Sequence, residues 1–340
     1  MTAIRGTTTA GGGSAGTSYA RSLDISATSD VYRSHDIHSA DRTWPETNCY
    51  LDLCVEVVHA LGHDPVPMLG SALAADHDGQ QWTFVKPDPE DIRSLYGIQI
   101  AEENVWRPVL DTIETGSARD MYFTVEVDSW WLPDTAGNDY HCGHAKTSIL
   151  PVHVDRDAQV LEYIHGRGLH RLVGDDFVGV FNLGGASEWL LPPFVEQVTQ
   201  VGAPANPDDG LAVRLARKHL DRAPDHNPVE RLGYTVSEAI SWLPEVGVDT
   251  FHAWAFATLR QCGATAEIAA DLAAYLDTHG APGAQAACAS FLEVASGAKS
   301  VQFKMARAAR GRAVVVDDIM DHLAQQWNRA IDILDDALPQ

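Results

Sequence analysis

The chain has 340 residues, 45% of them hydrophobic, which is more than a single core usually needs, so two lobes are expected. Against 24 Lys and Arg stand 47 Asp and Glu, and the formal charge of −23 repels phosphate backbones; DNA is excluded as a partner, and any other nucleic acid needs a local basic patch. The five cysteines, Cys49, Cys54, Cys142, Cys262 and Cys288, form no CxxC pair, which points to reduced thiols in a cytoplasmic protein rather than to zinc or a redox motif.

Residues 1–22 are rich in Gly, Thr, Ser and Ala and are expected to be a flexible tail, with no apolar run that would serve as a signal peptide. From Cys49 to Leu61 apolar residues recur at helical spacing (Leu51, Cys54, Val55, Val58, Leu61), with Thr47 and Asn48 as caps before and Gly62 after, so a buried helix is expected to begin at a cysteine. Met121 to Trp131 is β-branched and aromatic, as a strand requires, and Pro133 to Asn138 reads as a loop. Further strands are expected over Lys146 to Val154 and Val160 to Ile164. An N-terminal helix followed by an antiparallel sheet results, an α+β arrangement over residues 23–207.

Beyond residue 208 the texture becomes Ala-rich and helix-favouring. Helices are expected over Leu211–Leu220, Val236–Leu243, Asp249–Gln261, Ala264–Asp277, Gln285–Ala308 and Asp317–Leu338, making residues 208–340 a helical lobe. No stretch approaches a membrane span, and no solenoid repeat or long heptad run is present.

A cysteine in the first turn of a buried helix faces unpaired backbone N–H groups and the helix dipole, which favour its thiolate. Cys49 has that placement, and the same N–H groups, with Asn48 as a second donor, suit an oxyanion. A nucleophilic thiolate also needs a base, and His144, at the opening of the strand from Lys146, is positioned to be one. His165 at the end of the next strand either orients the imidazole of His144 or lies at the surface beside Gly166. Asp128 is a further orienting candidate, whereas Trp130 and Trp131 read as packing. The competing reading of Cys49 is a small buried hydrophobe, the role assigned to Cys54, Cys262 and Cys288. His141, Cys142 and His144 also contain zinc-type donors, but no second ligand pair accompanies them, so neither metal nor cofactor is expected.

Lys299, Lys304, Arg307, Arg310 and Arg312 form the densest basic stretch. Lys304, Arg307 and Arg310 fall on one helix face at three-residue spacing, either as a solvated face or as a phosphate-facing patch for a phosphopantetheine arm or RNA backbone.

The strings Glu126 to Thr135 (EVDSWWLPDT), His144 to Ile149 (HAKTSI) and Phe256 to Gly263 (FATLRQCG) resemble the DUF1839 family, a bacterial domain of unknown function, with the similarity running from about residue 40 to the C-terminus. That family is distantly similar, over Cys49 to about His165, to the papain-like acyltransferase of the butirosin pathway, which moves an aminoacyl group from a carrier protein to an amine. The resemblance implies a papain-like catalytic domain and a biosynthetic, natural-product aminoacyltransferase. In it, Cys49 would be nucleophile, His144 base and His165 the third member, in place of the usual Asn or Asp. The donor it implies is an aminoacyl carrier protein or aminoacyl-tRNA, held by Lys299, Lys304, Arg307 and Arg310. The acceptor is a small amine, hydroxylamine or alcohol. A cysteine hydrolase using the same dyad, or a non-catalytic binding protein, are the alternatives.

Overall fold

The computed structural model describes residues 23, 25, 28–185 and 192–340, so the expected tail at 1–22 lies outside the described residues. The N-terminal half carries a 3-10 turn (Asp36–His38), helix α1 (Cys49–Ala60), a 3-10 helix (Val66–Ala74), α2 (Pro89–Tyr96), strand β1 (Ile98–Glu102) and α3 (Val109–Ser117). There follow β2 (Tyr122–Asp128), β3 (Lys146–Asp155), β4 (Val160–His165), β5 (Gly168–Val173), the short α4 (Asp175–Val180) and β6 (Val195–Gln200). The C-terminal half is helical: α5 (Leu211–Leu220), α6 (Pro228–Ala255), a π-helical turn (Phe256–Arg260), α7 (Gln261–Thr278), α8 (Cys288–Ala308) and α9 (Asp317–Ala337).

The six strands form one sheet in the order β1-β6-β2-β3-β4-β5, antiparallel at every pairing. Three strands were expected. The edge strands and β6, which inserts between β1 and β2 from far along the chain, were not. The expected strand to Trp131 stops at Asp128, whose carboxylate accepts from the Trp130 N–H at 3.1 Å and turns the chain into a 3-10 helix over Ser129–Trp131. Between Pro151 and His153 the β3–β4 register slips, where proline has no N–H to give the ladder.

Successive side chains of a strand point to opposite faces, and the two faces build two cores. Phe123, Val125, Ile149, Leu161, Tyr163 and Leu172 pack with Leu110 and Ile113 of α3 and Phe177 of α4. On the other face Leu150, Ile164, Leu169 and Val198 meet α1, and that cluster runs without a break into Leu259, Leu272, Phe291 and Trp327 of the helical half. Helix α1 is buried on every side from Tyr50 to Val58, as a helix caught between a sheet and a bundle must be.

The helical half departs from expectation chiefly in α6. It starts at Pro228, capped by Asn227, and the gap expected between Leu243 and Asp249 is a break within one element: Pro244 lacks a donor and Gly247 adopts φ 84°. Among the described residues no helix is long and apolar enough to cross a membrane.

Candidate functional site

Cys49 is the first residue of α1 and half-buried. The helix starts there because Asn48 caps it: its side-chain oxygen accepts from the Leu51 N–H at 3.0 Å, and its amide donates to the Val85 carbonyl at 2.9 Å. Those bonds engage the oxygen and one hydrogen of the side chain offered above as an oxyanion donor, making Asn48 a buried cap and strap. The Thr47 N–H donates to both oxygens of Asp52, 3.0 Å each, closing the turn from the other side.

The loop leading into Cys49 is fastened to the helical half. Arg42 pairs with Asp271 at 2.7 Å, the Thr43 and Trp44 N–H groups donate to Glu267 at 3.0 and 2.6 Å, and Gln261 donates to the Thr47 carbonyl at 3.0 Å. The Trp44 ring lies so close to α7 that a Cβ on Gly263 would fall 2.4 Å from its indole nitrogen, so only glycine fits there. Arg167 and Arg260 both pair with Glu46 in this loop, at 3.1 and 3.4 Å.

Burial holds the Cys49 thiol above its ordinary range, and the charge of Asp52 adds to the effect; the Thr147 hydroxyl, the Ser148 N–H and the Lys146 ammonium oppose it by favouring the thiolate. Desolvation of the charged form, the largest influence on the thiol, opposes the thiolate bias expected of a helix start. His144 is not among these leading influences on the thiol.

Two histidine–carboxylate pairs flank β3. Asp128 and Lys146 are directly opposed across β2 and β3, which brings the His144 side chain to Asp128: Nδ1 to Oδ2 is 2.6 Å. The His144 ring stacks on Trp130, 4.6 Å between centroids and 9° from parallel, and 69% of its side-chain surface is exposed. Trp130 is thus more than packing, while Trp131 seats against Gly179, where a Cβ would fall 2.1 Å from the indole. Nδ1 is taken by the carboxylate, and Nε2 has no partner among the described residues.

The second pair is enclosed. His165 ends β4, Asp134 lies in the short 3-10 helix Pro133–Thr135, and Nδ1 to Oδ2 is again 2.6 Å, with 11% of the imidazole side chain exposed. Its Nε2 lies 2.8 Å from the Thr147 hydroxyl, and Tyr163 donates its O–H to the other oxygen of Asp134. Burial pushes the Asp134 carboxyl up, but the His165 hydrogen bond and charge, with help from His170 and Tyr163, hold it below the usual range. His165 therefore does not orient His144, as expected from the papain-like pattern. Both its nitrogens are engaged elsewhere, and Asp128 has the orienting position. Asp134 and Thr147 were missed, although both lie in the resemblance strings; the β3–β4 register brings Thr147 to His165, and Asp134 reaches it from the 3-10 turn.

The basic stretch is largely turned on its own chain. Lys299 donates to the Thr43 carbonyl and lies over the Trp44 ring at 4.9 Å, Lys304 donates to the Val315 carbonyl at 3.1 Å, and Arg310, past the end of α8, donates to the Ala306 carbonyl at 3.2 Å. Arg307 is exposed. The shared phosphate-binding face expected of these residues is reduced accordingly.

The zinc-type donors are also dispersed: His141 bonds Asp176 at 3.0 Å and Cys142 the Asn138 carbonyl at 3.1 Å. Among the described residues only Asp88, Asp91 and His219 converge as metal donors could, and Lys218 already places its ammonium on both carboxylates.

No curated protein matches the chain. The DUF1839 N-terminal domain matches residues 33–200 and the DUF1839 C-terminal domain residues 208–336. With both domains matched in order and little of the sequence outside them, the chain belongs to the DUF1839 family.

Proposed function

We propose that the protein is a cysteine-dependent acyltransferase of papain-like fold, in which Cys49 takes an aminoacyl group from an activated donor and passes it to an amine, hydroxylamine or alcohol. The observation that carries this reading is a half-buried cysteine on the first turn of a helix packed against an antiparallel sheet, with two histidine–carboxylate pairs at the ends of β2 and β4. A nucleophile, bases held by carboxylates and backbone N–H groups at a helix start are the parts acyl transfer requires.

The donor is an aminoacyl carrier protein or an aminoacyl-tRNA. Both are polyanions facing a chain of formal charge −23, so docking relies on cations near the site, of which Arg167, from the β4–β5 turn, and Arg260, from the π-helical turn, pair with Glu46 of the entry loop. A steep loss of activity from low to moderate salt would identify the polyphosphate donor.

The test is intact-protein mass spectrometry after incubation with aminoacyl thioesters. The wild type is expected to gain one acyl group, lost on adding amine with formation of an amide, and Cys49→Ala neither gains it nor forms product while keeping its fold. Turnover persisting in Cys49→Ala would sink the proposal, and release of free acid with no amide would make the enzyme a hydrolase.

A further inference from the structure

Helix α3 lies on the sheet face away from α1: its Leu110 and Ile113 pack with Phe123 and Val195, whereas α1 shares its core with Leu150 and Ile164. Beside α3 a cavity of about 600 Å³ opens to solvent, a volume within the range of small-ligand sites, with Phe123 and Val195 in its apolar lining. Its polar lining includes Arg107 and Arg119, which stand just before and just after α3. Arg107 donates from Nε to the Thr112 hydroxyl at 3.1 Å, and its guanidinium lies over the Trp106 ring, 5.4 Å from the centroid. Among the described residues neither arginine pairs with a carboxylate, because the acids that α3 itself offers, Asp111 and Glu114, are taken by Arg156 at 2.5 and 2.8 Å. Two unpaired guanidinium groups beside one cavity stand out in a chain of formal charge −23. Trp106 stands out as well: it is 83% exposed, more than any other large apolar side chain among the described residues.

These groups select a ligand by its chemistry. The nine residues of α3 separate the two arginines by about 13 Å of helix, so a molecule that meets both is elongated. An exposed indole beside a guanidinium offers a stacking platform to a flat ring, and unpaired guanidinium groups take phosphate oxygens. Glu103, a carboxylate in the same lining, repels a simple anion but accepts hydrogen bonds from hydroxyls such as those of a ribose. We infer that the cavity binds a nucleoside phosphate, with the base on Trp106, the ribose at Glu103 and the phosphates at Arg107 and Arg119. The site lies across the sheet from Cys49 and does not depend on the chemistry proposed there.

Isothermal titration calorimetry of the full-length chain tests this, with ADP, GDP, CDP and UDP as probes and the free nucleosides and pyrophosphate beside them. At least one diphosphate is expected to bind about tenfold or more tightly than its nucleoside or pyrophosphate, since it alone engages ring and anion sites together. Trp106→Ala, Arg107→Ala and Arg119→Ala each weaken it by about tenfold. Trp106→Ala leaves the residual binding of pyrophosphate unchanged, and Cys49→Ala binds the diphosphate as the wild type does. Trp106 and Arg119 are exposed, so those two variants keep the fold and decide the matter even where Arg107→Ala is unstable. Absence of binding by all four diphosphates at millimolar concentration overturns the inference, as does binding that Trp106→Ala and Arg119→Ala leave unaltered or that Cys49→Ala abolishes. Pyrophosphate bound as tightly as any diphosphate would make the cavity a simple anion site and remove the nucleoside.

Discussion

The two histidine–carboxylate pairs differ in nothing that bond length records: each joins Nδ1 to a carboxylate oxygen at 2.6 Å. They differ in water. The His144 side chain is 69% exposed and that of His165 11%, and Asp134 accepts from Tyr163 as well, whereas Asp128 serves one imidazole and a turn N–H. A solvated pair gains little because water would satisfy both partners apart. A desolvated pair is held by the cost of separating it. Similar geometry thus yields a solvent-washed surface pair in one case and an enclosed fitting of the fold in the other.

Removing one carboxylate from each pair puts the contrast to its hardest test. Asp134→Ala leaves the Tyr163 hydroxyl and His165 without their acceptor, and urea denaturation is expected to show a loss of about 3 kcal/mol or more. The carboxyl of Asp134 is held below its ordinary value, so its stabilising contribution is present above about pH 4 and disappears as pH falls through the folded-state value; the variant lacks that acid limb.

Another buried histidine, His38, extends the comparison to a protonated ring. Burial lowers its pKa, but the carboxylates of Asp52, 3.5 Å from Nε2, and Glu56, hydrogen-bonded to Nδ1, both on α1, prevail and raise it to about 9. A raised value contributes stability that is full below about pH 6.5 and is lost as pH climbs to about 9, by on the order of 1–3 kcal/mol. Urea titrations at the two ends of that window measure it, and His38→Asn, less stable throughout, loses the slope; an unchanged slope assigns the transition to another group. The smallest effect belongs to Asp128→Asn, expected to alter stability by less than about 1 kcal/mol. A loss as large as that of Asp134→Ala would erase the distinction between the two pairs.

Much of the scaffold was readable because it is local. Helix α1 begins at Cys49 where Asn48 can cap it, α5 has the expected bounds, and β3 and β4 end within one residue of expectation. What could not be read depends on register. His165 and Thr147 meet only because β3 and β4 pair as they do, and Asp134 reaches them from a 3-10 turn with no periodic signature. The partner of His144 was nearer to hand, since Asp128 caps the turn beside it. The upward push on the thiol was not legible because burial is a property of the packed molecule.

The cluster joining Leu53 and Leu69 to Leu259, Leu272 and Phe291 crosses the boundary between the two family domains. The join near residue 207 is therefore a seam in the chain but not in the protein. Swapping or losing either stretch would strip the other of its apolar cover and, through Gln261 and Thr47, loosen the cap before the cysteine. Selection on the two is accordingly coupled: a change in α7 that suits the bundle must also suit the first turn of α1, so neither half is free to drift on its own.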